Sequence, residues 1–479
     1  MIMSYDNVKF KEEARSGIIS GINCAVDAIQ TTFGPNGNNV LIKSSEGVKS
    51  TKDGKTVVTS INLPNPYEQI GVELISEASK HMADTVGDAS STVGILARQL
   101  IEQFKGHPNA IQLFRELNTY KENLLKVLKS EKHRVSSKKD LVRVASVSAN
   151  NDTTIGKMVA DAYDKVGLDG IVQYEAGEEA FDTLEYIKGF KIESGYLNQG
   201  FVNSSKNTCE LTNVLVHISD LKMENIKEVM SLCEKAMQEK KSLLLIAPEF
   251  DSEVTIFLKS NLNLLKSCCI LTPNFRIYRQ IAAEDIADIL GETMTCKKVI
   301  CDAKTTTFIG YESNQYSVNK KVAEIKERIK NKAYNEFDLA FNKKRLANFT
   351  SGIAIIHVGG FSEIERGNRM DLFEDSILAT RQALLGGYIG GGGTGLAEAA
   401  NKLLSGTSCS TTLFDFVDSM KFISRLLHHE DITSNEMIKK GILEPVLITK
   451  EYINTAFSIA NQVLACDCAI INNNLFFND

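Results

Sequence analysis

The hydrophobic residues of this chain recur at helical spacing near both ends and form short unbroken runs in the middle. The first helical pattern joins the apolar positions Ala14, Ile18, Ile22, Ala25, Val26 and Ile29. A second predicted helix begins at Pro66, and its apolar positions are Ile70, Leu74, Ala78 and Met82. Two further helices are predicted around residues 111–117 and 124–128. The first part of the chain is therefore predicted to be mostly helical.

Turns and short strands are predicted between the first two helices. Residues 32–37 contain Gly34, Pro35 and Gly37, a turn cluster that ends the first helix. A short strand is predicted at residues 39–42. Residues 50–58 predict a hairpin around Asp53-Gly54, because this dipeptide is typical of two-residue hairpin turns.

The pattern changes at about residue 135, after which a helix is predicted over residues 155–166. Beyond Gly170, strand-like apolar runs lie at residues 242–247, 266–271 and 298–301. Helical patterns separate or flank these runs at residues 225–237 and 253–262. This alternation predicts a compact α/β unit between about residues 188 and 352.

The last third of the chain returns to helical patterns. A long charged helical stretch at residues 320–346 is followed by a buried strand at 353–358 and a helix at 371–385. Helical material at both ends of the chain, around an α/β insert, predicts nested domains in which the outer one closes from both termini.

Composition limits the class of protein. The 479 residues are too many for one core, and 43% hydrophobic and 24% charged residues are typical of a globular protein. The formal net charge of -6 and the lack of basic clusters argue against a nucleic acid partner. No apolar stretch is long enough for a bilayer and the N-terminus lacks signal-peptide character, so no membrane association is expected.

The cysteines predict a reducing, cytoplasm-like compartment. Ten cysteines in a chain of this length do not suggest a disulfide framework, and Cys268-Cys269 lies in an apolar run that predicts a buried strand. Weak metal-binding motifs lie at Cys466-Asp467-Cys468 and at residues 428–431, which are histidines and acidic residues. A solvated helix end is the better interpretation of residues 428–431, because neighbouring residues on a helix point apart.

Residues 87–92 combine a turn residue, a carboxylate and three hydroxyls where a helix is predicted to begin. Gly87 permits a tight turn, and Ser90, Ser91 or Thr92 can cap the helix. The free N–H groups of the first turn and these hydroxyls would form a phosphate cradle. Asp88 fits this cradle as a ligand of a Mg²⁺ ion that bridges phosphate oxygens. An ordinary capped helix is the alternative interpretation.

The glycine-rich residues 390–395 formally match the Gly-x-Gly-x-x-Gly dinucleotide motif. That motif requires a preceding strand, whereas this run is predicted to follow a helix, and the chain has no P-loop motif. The glycines would instead let the backbone approach a ligand closely. Asp375, on the preceding predicted helix, could orient a hydrolytic water or could serve only in a salt bridge.

Several segments, in order along nearly the whole chain, resemble the group I chaperonins, the ring-forming ATP-driven folding machines of bacteria and organelles. The segments are residues 32–40, 51–54, 87–92, 148–150, 374–381, 391–393 and 441–445. The resemblance implies a multidomain α+β architecture with a mostly helical equatorial ATP-binding domain, a small intermediate domain and an α/β apical domain. The expected boundaries are 1–134 with 387–479, 135–187 with 353–386, and 188–352, respectively.

The resemblance also implies a site for ATP and Mg²⁺. The residues expected to contact nucleotide are Thr32, Phe33, Gly34, Pro35, Lys52, Asp88, Ala89, Ser90, Ser91, Thr92, Ser148, Gly392 and Glu444. Asp88 would hold the metal ion. Asp375 would position the attacking water with help from Asp53, an arrangement that agrees with the general chemistry of phosphoryl transfer.

Client binding is expected in the apical domain. Matching positions that remain apolar or aromatic are Tyr196, Phe201, Met230 and Cys233. On the second apical helix, aliphatic positions of the family are replaced by Thr255, Lys259 and Ser260, and Gly200 replaces an aromatic residue. A weaker or narrower grip on unfolded chains is therefore expected than in typical members.

The chain also departs from the family pattern around the nucleotide. Ala89 stands where glycine is usual, and Glu444 stands where aspartate is usual near the ribose. The segment between residues 407 and 441 is short, which predicts a missing base wall, weaker ATP binding and tolerance of GTP. Alternatively, residues 408–429 or the tail at 475–477 close the pocket. Such trimming suggests a divergent member from a virus or a reduced intracellular organism.

The leading functional hypothesis is an ATPase that folds unfolded polypeptides inside a homo-oligomeric ring, of about seven subunits by family resemblance. The alternative is a ring-forming holdase with little or no ATP turnover. A small-molecule kinase or dehydrogenase has only the glycine run in its favour, and the archaeal and eukaryotic-cytosolic branch would need a lid insertion that is not evident. A co-chaperonin is a possible partner. The expected location is the cytoplasm, the host cytoplasm for a virus, or an organelle matrix.

Overall fold

The computed structural model of the chain describes residues 7–44, 47–167, 170–205, 207–274, 277–330, 336–350, 352–405, 410–428 and 432–471. These residues form two compact units. Unit 1 combines Met1–Asp161 with Phe361–Asp479, and unit 2 is the continuous stretch Ala162–Gly360. The elements of each unit follow in chain order.

Unit 1 begins with a short strand and a series of helices. Its first elements are β1 (Val8–Phe10), α1 (Lys11–Gln30), β2 (Val40–Ser44), β3 (Gly47–Thr51), α2 (Gly54–Thr59), α3 (Pro66–Val86), α4 (Ser90–Phe104), α5 (Ala110–Glu131) and α6 (Lys138–Ser148). Helix α7 (Thr153–Val166) runs across the boundary between the units.

Unit 2 is built around one mixed sheet. Its elements are β4 (Ile171–Ala176), β5 (Thr183–Ile192), β6 (Cys209–Ile218), α8 (Ile226–Gln238), β7 (Ser242–Ala247), α9 (Ser252–Ser260), β8 (Ser267–Leu271), α10 (Ile277–Leu290), β9 (Thr295–Cys301), β10 (Thr306–Tyr311), α11 (Gln315–Lys330), α12 (Glu336–Thr350) and β11 (Gly352–Val358). The strand order in the eight-stranded sheet is β4-β11-β5-β10-β9-β6-β7-β8.

The chain then returns to unit 1. The remaining elements are α13 (Glu363–Gly386), β12 (Tyr388–Gly390), α14 (Thr394–Leu403), α15 (Thr411–Leu427), α16 (Ser434–Lys440), β13 (Leu443–Pro445), α17 (Val446–Leu464) and β14 (Cys468–Ile470). Strand β14 pairs with β1 in antiparallel register, Val8 opposite Ile470, so the two ends of the chain close the unit together.

The core of unit 1 is a packed set of helices. The apolar positions predicted on the first helix are all buried in α1. Helices α1 and α3 approach so closely at Gly21 that a side-chain Cβ atom added there would lie only 1.7 Å from the Glu68 carbonyl oxygen. Since each fully buried aliphatic side chain contributes about 1.5–3 kcal/mol, this helical pattern carries much of the stability of the unit.

The core of unit 2 is rich in cysteine. Cys209, Cys268, Cys269, Cys296 and Cys301 are all buried, on the strands β6, β8 and β9. Burial raises the pKa of the Cys269 thiol and raises the pKa of the Cys296 thiol to about 12, so these two cysteines behave as small apolar residues. The nine cysteines in the described part of the chain are free thiols, in agreement with the absence of a predicted disulfide framework.

Most predicted elements are confirmed. The strands predicted at residues 242–247, 266–271 and 298–301 are β7, β8 and the end of β9, and the predicted multidomain α+β fold class is confirmed. The two helices predicted around residues 111–117 and 124–128 are wrong as separate elements, because they form the single helix α5. No described helix combines the length and hydropathy that a membrane span requires.

The predicted hairpin around Asp53-Gly54 is also wrong. The hairpin is formed by β2 and β3, which pair from Val40 opposite Thr51 to Ser44 opposite Gly47. Asp53 instead begins α2, where its carboxylate accepts hydrogen bonds from the N–H groups of Lys55 and Thr56. A side-chain cap therefore overrides the turn preference of the Asp-Gly pair.

The three-domain division remains a prediction. Strands β4 and β11 fall in the stretch predicted as intermediate domain, and they belong to the same sheet as the strands predicted as apical. Within that sheet β11 lies between β4, to which it is parallel, and β5, to which it is antiparallel.

Candidate functional site

The start of α4 is open to an anion. Helix α3 ends at Val86 and is followed by Gly87, which has a left-handed backbone with φ 74°. Helix α4 is preceded by Ala89, whose backbone is also left-handed, with φ 65°. No side chain caps α4, so the prediction that Ser90, Ser91 or Thr92 caps it is wrong; they form its first turn. The N–H groups of this turn keep their hydrogen-bonding capacity and the positive end of the helix dipole. The left-handed alanine costs about 1–2 kcal/mol, a strain typical of functional sites.

Asp88 lies directly before this turn and is held by two hydrogen bonds. Its Oδ1 accepts from the Ala89 N–H at 2.5 Å, and its Oδ2 accepts from the Ser148 hydroxyl at 3.2 Å. Burial raises the pKa of Asp88, while both hydrogen bonds oppose that rise. The structure thus brings together Asp88 and Ser148, which are 60 positions apart in sequence.

Asp53 approaches the same helix start. Its carboxylate accepts from the Thr56 hydroxyl at 2.6 Å in addition to the N–H groups at the start of α2. A Cβ on Gly54 would lie 2.2 Å from the Ser91 hydroxyl oxygen, so the start of α2 packs directly on the start of α4. The glycine is required here by this close contact.

Among Asp53, Asp88 and Asp375, only Asp375 has a carboxylate without a hydrogen-bond partner in the described part of the chain. In the described part of the chain its side chain has no hydrogen-bond or ion-pair partner. Burial raises the pKa of Asp375 well above its usual range, and the charges of Asp88, Asp53, Glu374 and Asp371 raise it further. The adjacent Ser376 fixes this part of α13, because its hydroxyl donates to the Ala145 carbonyl on α6 at 2.9 Å.

These acidic residues suit a hard divalent cation. The described residues contain no group of three His, Cys, Asp or Glu side chains that could hold a metal by itself. Mg²⁺ does not need such a group, since it binds through one or two carboxylates together with water and phosphate oxygens. Asp88, half-buried beside an open helix start and coupled electrostatically to Asp375, fits that role.

The glycine run forms a second wall. Gly392 and Gly393 have left-handed φ values of 63° and 74°, and the Gly391 N–H donates to the Ile442 carbonyl at 2.9 Å. The run follows strand β12 rather than the predicted helix, which corrects that expectation. However, β12 pairs antiparallel with β13, so the strand-turn-helix unit of parallel strands that binds dinucleotides is absent at this point.

Glu444 is turned toward this wall. Its Oε1 accepts from the hydroxyls of Thr449 at 2.6 Å and Tyr452 at 2.9 Å, and its side chain is also bonded to the Gly393 backbone. Burial raises the pKa of Glu444, and these hydrogen bonds lower it. The Glu444 side chain, which is longer than the aspartate usual at this position in the family, therefore supports the glycine run. Its contact with a ribose remains a prediction.

The end of α15 covers the far side of the glycines. A Cβ on Gly34 would lie 2.5 Å from Leu427 Cδ2, and a Cβ on Gly392 would lie 2.7 Å from His428 Nε2. These contacts put two residues of the segment 408–429 beside the glycines, and both the missing base wall and the alternative of a closed pocket remain predictions. Residues 429–431 and the tail at 475–477 lie outside the described residues.

The remaining predicted nucleotide contacts lie in the turn after α1 and before α2. The Thr32 hydroxyl donates to the Ile29 carbonyl at 2.8 Å, so it is engaged within its own helix end. Phe33 packs partly against the core of unit 1. Pro35 and Lys52 are exposed and so are accessible to a ligand.

The predicted client residues occupy different environments in unit 2. Met230 on α8 is 43% exposed, whereas Tyr196 and Cys233 are half-buried against the core. Phe201 is 1% exposed, so in this structure its side chain contributes to the core and not to a client surface. Sequence reasoning missed Met237, which is 46% exposed and follows Met230 by two helical turns on the same face of α8.

The electrostatic position of Asp375 predicts a measurable effect on stability. Because its pKa is raised in the folded state, its ionisation above the ordinary pKa of about 4 opposes folding. Replacing Asp375 with Asn should raise the Tm by several degrees near about pH 8, and the gain should shrink steadily toward about pH 4. Scanning calorimetry against pH tests this, with Glu363→Gln on the exposed start of α13 as control. A gain that does not vary with pH would contradict the electrostatic origin.

This chain is similar in sequence and in fold to known proteins of one family. Residues 26–412 match the model of the TCP-1/cpn60 chaperonin family. Two solved structures of the chaperonin gp146 from the bacteriophage EL 2 (Pseudomonas aeruginosa), crystallised with ATP-BeFx in two forms, share the fold at TM-scores of 0.73 and 0.68. Each is 19% identical in sequence, and the alignments cover 98% of this chain and 100% of gp146. Because the family model spans well over half of the sequence, this chain belongs to the TCP-1/cpn60 chaperonin family.

Proposed function

We propose that this protein is an ATP-dependent chaperonin, which binds unfolded polypeptides and promotes their folding in a ring while ATP hydrolysis drives domain motion. The observation that carries the proposal is the placement of Asp375, a carboxylate without a partner among the described residues, beside Asp88 and Asp53. The uncapped start of α4 adds a binding place for phosphate.

Each residue has a distinct part in the proposed hydrolysis. The N–H groups and hydroxyls of Ser90, Ser91 and Thr92 would bind phosphate oxygens, and Asp88, oriented by Ser148, would hold a Mg²⁺ ion that supplies positive charge against the phosphates. Asp375 orients water toward the terminal phosphate, since it has free acceptor oxygens at the site. The ATP analogue in the gp146 crystals supports nucleotide as the ligand of this fold.

A phosphate-release assay tests the proposal. Purified protein with Mg²⁺ and ATP should release phosphate continuously, and denatured client should be recovered as active enzyme only when ATP is present. The holdase alternative has the strained Ala89 in its favour, because a residue with a Cβ restricts the backbone beside the phosphates. Prevention of client aggregation without phosphate release would establish the holdase and overturn the proposal.

Ring assembly is supported by two exposed two-stranded sheets of unit 1. The register of β2 and β3 puts Leu41 and Val48 on one face, where they are 72% and 67% exposed. The register of β1 and β14 likewise puts Phe10 and Ile470 on one face. Two different apolar, edge-bearing patches suit head-to-tail contact between copies, which closes into a ring.

The client surface is proposed on the exposed side of α8 and α9. Met230 and Met237 on α8 and Ile256 on α9 present apolar side chains to solvent. Flexible methionine side chains adapt to many apolar partners, which suits unfolded chains. The small number of these exposed apolar side chains on α8 and α9 supports the expectation that the protein binds unfolded chains weakly or binds few kinds of them.

Removing this apolar surface should weaken client capture. The triple variant Met230→Ser, Met237→Ser and Ile256→Ser should bind denatured protein about tenfold or more weakly, because each change removes apolar contact area. Light scattering of an aggregating client measures the effect. The variant Ile111→Ser removes an equally exposed apolar side chain from unit 1 and should act like wild type. Equal loss in both variants would contradict the assigned surface.

The remaining parts of the proposal rest on the resemblance alone. We propose a cytoplasmic location, which becomes the host cytoplasm if the chain is viral. A separate co-chaperonin and a ring of about seven subunits remain expectations. Negative-stain electron microscopy of the purified protein measures the number of subunits and rings directly.

A further inference from the structure

The carboxylate of Asp53 is held at the start of α2 by three hydrogen bonds. Its Oδ1 accepts from the Lys55 N–H at 3.2 Å, and its Oδ2 accepts from the Thr56 N–H at 2.8 Å. The third bond is the shortest, since the Thr56 hydroxyl donates to the same Oδ2 at 2.6 Å. Thr56 therefore holds Oδ2 with two bonds, whereas Oδ1 has a single, longer one.

The bond from the Thr56 hydroxyl is more than the start of a helix requires. A cap satisfies free backbone N–H groups, and the two N–H bonds to Asp53 already do this. The hydroxyls of Thr59 and Ser60 donate to backbone carbonyls of their own helix, as is usual for such residues. The Thr56 hydroxyl instead donates to a carboxylate, and a hydrogen bond to a charged group is roughly twice as strong as a neutral one.

These bonds leave one acceptor position of Asp53 unused. A carboxylate accepts about four hydrogen bonds, and here Oδ2 takes two and Oδ1 takes one. The pKa of Asp375 is raised by burial and then by nearby charges that include the charge of Asp53. The neighbouring Gly54 packs on Ser91 at the start of α4. The unused acceptor position therefore belongs to Oδ1, on a carboxylate next to the proposed phosphate site.

We propose that Thr56 is a positioning residue that acts through Asp53, because its hydroxyl fixes the carboxylate so that Oδ1 accepts from the attacking water. This inference rests on the proposed ATP hydrolysis. The terminal torsion of an aspartate is broad, so a carboxylate without this bond rotates more freely about Cβ–Cγ. Hydrolysis depends on holding the water within a narrow geometry, whereas Thr56 has no part in the proposed phosphate or metal contacts.

Three single variants of the full chain test the role of the hydroxyl. Thr56→Val keeps the branched side chain without the hydroxyl, so kcat should fall about tenfold or more while the Kd for ATP with Mg²⁺ stays within about twofold. Thr56→Ser keeps the hydroxyl and should retain kcat within about threefold of wild type. Thr59→Val removes a hydroxyl that bonds only to carbonyls of the same helix and should match wild type. Phosphate release and equilibrium nucleotide binding are measured on the same preparations.

A double-mutant cycle shows whether Thr56 acts through Asp53. Asp53→Asn keeps a side chain that caps α2 but removes the charge, and its residual rate is measured in single turnovers with protein in excess. Thr56→Val should change that rate by less than about twofold. An undiminished effect of Thr56→Val in Asp53→Asn, an equal loss in Thr59→Val, or wild-type kcat in Thr56→Val would overturn the role of Thr56. Absence of phosphate release by wild type would instead overturn the proposed function itself, and this inference with it.

Discussion

Asp375→Ala is expected to lose nearly all ATP turnover while it binds nucleotide almost normally. The residue has no hydrogen-bond or ion-pair partner in the described part of the chain, so its carboxylate oxygens are able to accept hydrogen bonds from water. Removing a group of this kind lowers kcat by about 100- to 10,000-fold. Binding should persist, because the variant leaves unchanged the uncapped start of α4, which is the proposed phosphate site, and Asp88, which is the proposed metal ligand.

Steady-state phosphate release and equilibrium binding, measured on the same preparation, separate the two effects. Glu363→Gln removes an exposed carboxylate from the same helix and should keep wild-type turnover. Asp88→Ala provides the opposite pattern, with weakened Mg²⁺-dependent binding. If Asp375→Ala hydrolysed ATP at the wild-type rate, Asp375 would not be the water-positioning residue.

The double variant Leu41→Glu and Val48→Glu is expected to convert the proposed ring into separate subunits. These side chains share the exposed face of the β2–β3 hairpin, and the proposed contact with the β1–β14 sheet of the next copy would bury them. Each unpaired carboxylate in such a contact costs on the order of 2 kcal/mol or more, and the cost recurs at every interface of the ring. Sedimentation velocity should therefore show a monomer where wild type shows a large assembly.

The matched control for assembly is Leu221→Glu. Leu221 is 77% exposed, comparable with Leu41, but it lies in unit 2. This variant should sediment like wild type. An intact ring in the double variant would place the interface elsewhere, and dissociation of the control would mean that surface charge in general disrupts assembly.

Helices and strands were predictable from sequence where the spacing of apolar residues agreed with residues that start or stop a helix. Helix α3 has Pro66 in its first turn and the left-handed Gly87 directly after its end, so sequence and structure give the same bounds. Local preference failed at Asp53-Gly54, because the Asp53 carboxylate caps the start of a helix there and no hairpin turn forms. The packing of Gly54 on Ser91 joins distant parts of the chain, and no local pattern contains it.

The site was predictable in its membership more than in its details. Motif resemblance named Asp53, Asp88 and Asp375, and the structure couples their charges. The inward turn of Glu444 depends on the hydroxyls of Thr449 and Tyr452, which are a helical turn or two away on α17. His428 was assigned to a solvated helix end, because its sequence neighbours are polar and its contact with Gly392 is long-range. Such contacts require the folded chain.

The pairing of β1 with β14 has a consequence for biosynthesis. Unit 2 is one continuous stretch, so all of its strands are synthesised before the last quarter of the chain. Unit 1 cannot close until residues 468–470 are synthesised and reach residues 8–10. Throughout that delay the apolar faces of α1, α3 and α4 lack α17, which packs against them in the finished unit. The nascent chain therefore exposes apolar helix faces until its last helix is made, which is the type of surface that chaperones recognise.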